Sequence, residues 1–290
     1  MLELRKGVDI LAEGGGIRTV SDAQALFARA LGPADRAKLQ TIHTPDAILR
    51  IANAISLCAP AKAFVIDGSP EDAAECRRMS LEGGEECPLA MERHTLHFDL
   101  PEDQGRMVDQ TYYIANEDEE VSVLAKKMVR AEALTYIRDT MGGIMKGKTM
   151  LIGFYSRGPI GAQAAVPGLM ISSSAYVLHS ANILYRSVFT RFDAEAARAG
   201  VFFTNVHSQG TNRSEDIPRA RIFMDRSWFT TFSMYCTYAG NTLMLKKGNH
   251  RFAVDLCTYY RREKELSEHM FITGLKGPKG RKTFFAGAAP

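Results

Sequence analysis

Two lysines stand side by side, Lys246 and Lys247, in "CTYAGNTLMLKKGNHRFAVDL", residues 236 to 256. An ammonium beside another ammonium gives up its proton more easily, and a neutral amine can ligate a metal or act as a base. A phenol, Tyr238, and the pair Gly240–Asn241 come just before them. Glycine permits close approach, so backbone N–H groups there can reach an anion. A solvated loop ahead of a helix accounts for the same residues, since lysine is among the most exposed residue types. The stretch alone leaves both readings open.

Other candidates are scattered. Arg106 follows a glycine between an acidic connection and the strand-like "TYYIAN", where a guanidinium suits bidentate binding of carboxylate or phosphate, or simply faces solvent. His269 enters the apolar run "MFITG", a setting in which histidine is more often structural than a ligand. His94 and His97 share no helical face if "HTLH" is extended, and His43, His179, His207 and His250 have no partner at readable spacing. The basic turn Lys276, Lys279, Arg281, Lys282 reads most simply as a solvated hairpin tip.

The elements that would position these residues alternate between helix and strand in the first half, which points to an α/β fold. "SDAQALFARAL" reads as a helix capped by Ser21, and "TPDAILRIANAISL" as one capped by Thr44 with Pro45 at its first position. "AKAFVIDGSPEDAAECRRM" reads as a buried strand, a turn at Asp67–Gly68 and a helix begun by Ser69–Pro70. Residues 80 to 110 read as an irregular connection and "QTYYIANED" as a strand. Val121, Leu124, Met128, Ala131 and Leu134 recur at helical spacing, so a helix is expected from Glu119 to Thr140, ended by Gly142–Gly143. "KTMLIGFYS", "RARIFMD" and "WFTTFSMY" read as strands, with a turn at Gly158–Pro159 after the first. Phe252, Leu256, Tyr259 and Tyr260 suggest a helix over 250 to 265. "HMFITGLKGPKGRKTFFAGAAP" reads as a hairpin about Gly-Pro-Lys-Gly. Its last strand stops on small residues, as a strand does before a phosphate loop, so the domain is expected to continue beyond Pro290.

Composition sets bounds. The chain has 290 residues, 46% hydrophobic and 24% charged, enough for one or two globular domains. A net charge of +3 gives no bulk attraction for nucleic acid. Five cysteines without a close CxxC pair fit a reducing cytosol, and no segment reads as a signal peptide or membrane span, so a cytoplasmic protein is expected.

Taken in order, "FVIDGSPEDAAECRRM", "KGKTMLIGFYSRGPIGA", "YAGNTLMLKKGNHRFAV", "LSEHMFITGL" and "KTFFAGAAP" resemble the amino-terminal half of the GTP-dependent phosphoenolpyruvate carboxykinases. The resemblance implies a mixed-sheet amino-terminal α/β domain over residues 1–225 and, over 226–290, the beginning of the catalytic, nucleotide-binding domain. It implies interconversion of oxaloacetate and phosphoenolpyruvate with release or capture of carbon dioxide, without nucleic-acid or membrane partners. By the same resemblance Lys247 and His269 are ligands of a manganese (or magnesium) ion, and Lys246 faces the transferred phosphoryl group. Tyr238 packs beside the substrate, Gly240 and Asn241 lend it backbone contacts, and Arg106 holds its carboxylate. GTP or GDP would bind residues beyond Pro290, so the chain by itself is expected to be inactive.

Two residues depart from the family pattern. Ala239 and Leu245 stand where the family prefers glycine, which crowds the substrate loop and leaves the donor open. Alternatives at this point are a carboxykinase using pyrophosphate and a non-catalytic domain that binds carboxylates or a partner protein.

Overall fold

The computed structural model describes residues 4–103, 107–119, 121, 126–162, 165–238, 270–276, 278–280 and 282–288. Helices α1 (Ile10–Gly15), α2 (Val20–Ala30), α3 (Pro33–Gln40) and α4 (Pro45–Cys58) precede strand β1 (Lys62–Ile66). The cap of α2 is Thr19, not Ser21: its hydroxyl accepts from the Asp22 amide at 3.1 Å and donates to the Asp22 carboxylate at 2.7 Å. The Thr19 hydroxyl thus satisfies the amide at the third helical position, and Ser21 falls inside the first turn.

Thr44 does cap α4, with Pro45 at the first position, yet its side chain does not satisfy the helix. Asp193 does the capping from a distance, accepting from the amides of His43 (2.9 Å) and Thr44 (2.8 Å) and from the Thr44 hydroxyl (2.6 Å). Asp193→Ala is therefore expected to cost about 1–2 kcal/mol, the usual price of a lost cap, read by urea denaturation.

After β1 the Asp-Gly-Ser-Pro turn behaves as its residues dictate. Gly68 has φ +87°, where a Cβ would meet Ser187, and Ser69 caps α5 (Pro70–Glu82). The connection that follows contains one short ladder, β2 (Cys87–Pro88) with β3 (Thr95–Leu96), before β4 (Thr111–Ala115).

The helix expected from Glu119 is shorter than its spacing suggests. Lys126–Val129 is strand β5, lying parallel to β4 with Ile114 opposite Met128, and only Arg130–Met141 is helical (α6). Lys127 fixes the strand by donating to the carbonyls of Glu117 (2.9 Å) and Glu119 (2.7 Å). Ladder pairing has overridden an apolar rhythm that a half-buried strand can also carry. Gly142 ends α6 as expected.

The chain continues through β6 (Thr149–Arg157), β7 (Val166–Ser172), α7 (Ala175–Leu184), β8 (Arg186–Ser187), α8 (Phe192–Ala199) and β9 (Phe203–Ser208). Strands β10 (Arg221–Asp225) and β11 (Thr230–Met234) form an antiparallel hairpin, with Trp228 in its turn rather than in the strand. The expected pair of strands near the end is β12 (Met270–Lys276) and β13 (Lys282–Ala288), antiparallel about residues 278–280. The expected helix over 250 to 265 lies outside the described residues.

One mixed sheet carries the order β1-β6-β7-β9-β11-β10-β4-β5, with β8 on β6. Strands β7, β9 and β11 run one way; β6, antiparallel to β7, and β10, antiparallel to β11, run the other, as do β1, β4 and β5. The sheet crosses the expected 225/226 boundary, because β10 and β11 are paired within it.

The period-two alternation of a doubly covered sheet is plain in the core. Ile152, Phe154, Leu169 and Ile171 join Ile51 and Ile55 of α4 on one face. Leu151, Tyr155 and Met170 join Val177 and Leu178 of α7 on the other. Each fully buried side chain of this size is worth about 1.5–3 kcal/mol. The two helical layers hold the sheet rigid, so the residues at its edge are fixed with it.

Candidate active site

Because β7, β9 and β11 are parallel, their carboxyl ends open onto one edge, together with the amino ends of β6, β10 and β4. Such an edge is where open α/β sheets hold ligands. The chain turns polar there: Ser172–Ser173–Ser174 after β7, His207–Ser208–Gln209–Gly210 at β9, and Thr237–Tyr238 after β11.

His207, fully buried, stitches these ends together. Its Nε2 lies 2.8 Å from the Cys236 carbonyl and its Nδ1 2.7 Å from the Ser172 hydroxyl. A carbonyl only accepts, so Nε2 carries the proton and Nδ1 accepts from Ser172. Burial pushes the imidazole down to about 4, with Lys148 adding to the effect and the Cys236 carbonyl opposing it. The neutral ring is thus a structural linker between β7, β9 and β11. Ser172 also accepts from the Ser174 amide at 2.9 Å, and Ser173 meets Ser208, oxygen to oxygen, at 2.9 Å.

Lys148, at the start of β6, is half-buried and donates to the Gly210 carbonyl. Burial lowers its pKa, against the pull of Glu85 and Asp216. Gly210 has φ +62°, and a Cβ there would sit 2.2 Å from the Tyr235 ring and 2.6 Å from Asp216, so only glycine fits.

Above α7 the rim is built by the connection after α5. Glu85 accepts from the Ser174 hydroxyl and from the amides of Ala175 (3.0 Å) and Tyr176 (3.2 Å), completing the helix start. His97 stacks on Tyr176 with ring centroids 3.5 Å apart. Its Nδ1 is 2.6 Å from the Glu85 carbonyl and its Nε2 3.1 Å from Asp99. Burial alone would lower its pKa; Asp99 and the Glu85 carbonyl outweigh that and raise it, as two acceptors require.

Tyr238 is half-buried at this rim near Tyr176, whose phenol is pushed up chiefly by its burial. Its backbone is held by Asp103, from the short turn Pro101–Asp103. A single oxygen of that carboxylate accepts from the Thr237 amide, the Thr237 hydroxyl (3.0 Å) and the Tyr238 amide (2.7 Å).

Of the residues singled out in the sequence, Tyr238 is therefore on the edge. Arg106, Gly240, Asn241, Lys246, Lys247 and His269 lie outside the described residues. Among the described residues no group of three or more His, Cys, Asp or Glu could hold a metal ion. Sequence reasoning missed Asp103, Lys148 and His207; their one signal was a polar residue at the end of an apolar strand or shortly before one.

A cleft of about 470 Å³ lies at the opposite edge, among Thr44, Asp193, Phe202 and Trp228. Its charges are already engaged, Asp193 with residues 43–44 and Arg50 with Thr230 and the Trp228 carbonyl. The strand carboxyl ends make the better candidate, because polar groups converge there at a topological reversal.

The family model for the phosphoenolpyruvate carboxykinase N-terminal domain matches residues 50–258. The chain belongs to that family. The match to the phosphoenolpyruvate carboxykinase N-terminal domain takes in the whole edge just described, from Glu85 and Asp103 to Tyr238, and leaves α1–α3 and the final hairpin outside. Similar proteins bear the name phosphoenolpyruvate carboxykinase (GTP). That of Thermococcus sibiricus is 36% identical over 264 residues, covering 90% of this chain and 42% of the relative. Those of Sulfurisphaera tokodaii and Treponema pallidum are 38% identical over 236 residues and 27% identical over 257, covering 81% and 83% of this chain and 37% and 40% of the relatives. The chain thus spans about two fifths of the length of the curated relatives it matches. No helix among the described residues is long and apolar enough to cross a membrane.

Proposed function

We propose that this chain is the amino-terminal portion of a cytoplasmic, GTP-dependent phosphoenolpyruvate carboxykinase that interconverts oxaloacetate and phosphoenolpyruvate plus carbon dioxide. The observation that carries the reading is the Asp103 contact. It joins the turn three residues before Arg106 to the segment that leads from Tyr238 into Gly240 and Asn241. Tyr238, a candidate substrate residue, is thereby tied at the sheet edge to the Pro101–Asp103 turn, far from it in sequence. The names borne by the relatives support GTP as donor over pyrophosphate.

Loss of carbon dioxide from oxaloacetate leaves its electron pair as an enolate, and the enolate oxygen then takes the phosphoryl group from GTP, releasing GDP. Fixed cations stabilise the enolate, and transfer needs alignment more than covalent help. Arg106 would hold a substrate carboxylate, Lys246 would face the phosphoryl group, and Tyr238 with Gly240 and Asn241 would line the substrate. Lys247 and His269 would hold manganese or magnesium, an amine and an imidazole being suitable donors for a borderline ion. When bound, the ion supplies positive charge beside the developing enolate. The substrate-binding unit runs through the sheet and passes, in the residues after it, into the catalytic unit.

The test is turnover of oxaloacetate by the full-length protein with GTP, ATP or pyrophosphate in turn. GTP should serve, and the 290-residue chain alone should be inactive because the donor phosphates need a loop beyond it. Turnover with pyrophosphate alone would move the protein to the other donor class; no turnover with any donor would favour a non-catalytic domain. Lys247→Ala or His269→Ala should weaken manganese binding at least about tenfold, the loss already typical of residues that only orient a ligand. Unchanged affinity by titration calorimetry would remove them as ligands. Arg106→Ala should chiefly raise the KM for oxaloacetate.

A further inference from the structure

We propose that Asp103 is a positioning residue, whose carboxylate sets the Tyr238 segment in register with the turn leading to Arg106, and so sets the affinity for the dicarboxylate substrate. The inference rests on the carboxykinase reading above.

Asp103 is 1% exposed, and its carboxylate is spent on protein donors rather than on open space. The amides of Thr237 and Tyr238 and the Thr237 hydroxyl converge on one of its oxygens. The same hydroxyl accepts from the Leu100 amide at 3.4 Å, so the two segments are joined by a short network. Thr237 itself is buried, and the next residue back, Cys236, gives its carbonyl to His207. Residues 236 to 238 are thus held from two sides, by the sheet through His207 and by the 101–103 turn through Asp103. Nothing else described fixes the Tyr238 amide. Without the carboxylate, two adjacent amides, one buried and one half-buried, lose their acceptor and the segment must turn to find another. A shift of about 1 Å in a group that positions substrate is enough to cost about a hundredfold in rate.

The experiment uses the full-length protein with Asp103→Asn, which keeps the shape but offers a weaker, neutral acceptor, and Thr237→Val, which deletes one donor and keeps the packing. Hydrogen exchange at the Thr237 and Tyr238 amides is followed alongside KM for oxaloacetate and for GTP. The expected result is at least about tenfold faster exchange in Asp103→Asn and a KM for oxaloacetate raised about tenfold, with KM for GTP unchanged. Thr237→Val should move the same quantities in the same direction by less. Faster exchange with an unchanged oxaloacetate KM would overturn the inference while leaving the carboxykinase reading intact, as would parallel changes in both KM values. Wild-type protein that turns over with none of the donors would remove the carboxykinase reading and the substrate role together, and the exchange rates would then report the clamp alone.

Discussion

Replacing Arg130 by alanine should destabilise the protein by about 3–5 kcal/mol, the usual cost of leaving one member of a buried ion pair alone. Arg130 opens α6 with its side chain 7% exposed, and Asp225 closes β10 at 1%. The guanidinium and carboxylate meet in two parallel bonds of 2.5 and 2.9 Å. The same guanidinium donates to the Val8 carbonyl at 3.0 Å, and Asp225 accepts from the Trp228 amide at 3.3 Å. One pair therefore joins the N-terminal arm, α6 and the β10–β11 turn. Burial raises the Asp225 carboxyl despite the arginine beside it. The cost of the variant is the uncompensated charge it leaves in a dry site. Arg130→Lys should recover little, because an ammonium cannot make both bonds. Urea denaturation of Arg130→Ala, Asp225→Ala and the double variant measures this. The double variant should lose clearly less than the sum, by at least about 1 kcal/mol, and strict additivity would mean that the pair is not coupled.

How far the fold was legible depends on whether a signal was local. The Asp-Gly-Ser-Pro turn, the Pro45 helix start and the final hairpin are fixed by residues within a few positions of each other, and all three stand as the residues suggest. The segment after Glu119 was not, because β5 exists only through its partner β4, and no residue inside Lys126–Val129 announces that partner. The cap of α4 is half legible for the same reason: Thr44 marks the position, whereas Asp193, which satisfies the amides, comes from α8.

The site divides along the same line. Tyr238 was found through resemblance and stands on the edge where the strand ends converge. Asp103 could not be found by spacing, since its partners are 134 and 135 residues away. A carboxylate three residues before a suspected substrate arginine is an ordinary surface pattern in sequence, and only its burial gives it a role. His207 offered a weak hint, as a histidine at the end of the apolar run "VFFTNV", but a linker and a ligand look alike there. What separates them is the partner on each nitrogen, one a hydroxyl and one a carbonyl, which is information about three strands at once.

Those partners make His207 the source of a specific loss of stability in acid. Unfolded, the imidazole takes its proton near 6.5; folded, burial holds it down to about 4. Between these values the unfolded chain binds a proton that the folded one refuses, so stability falls as the pH falls. The contribution is fully present above 6.5, declines by up to about 1.4 kcal/mol per pH unit, and is lost once the pH passes below 4, about 3 kcal/mol in all. Protonation at Nδ1 would also set a new donor against a Ser172 hydroxyl that must then turn, abandoning the arrangement that joins β7 to β9. His207→Gln can keep one donor and one acceptor but cannot titrate in this range. Denaturation at pH 7, 6, 5 and 4 should therefore show the wild type losing about 3 kcal/mol more than this variant, whatever the variant loses at pH 7. Parallel pH curves would mean that another group takes up the proton, and that the imidazole is not the acid-labile tie between the strand ends.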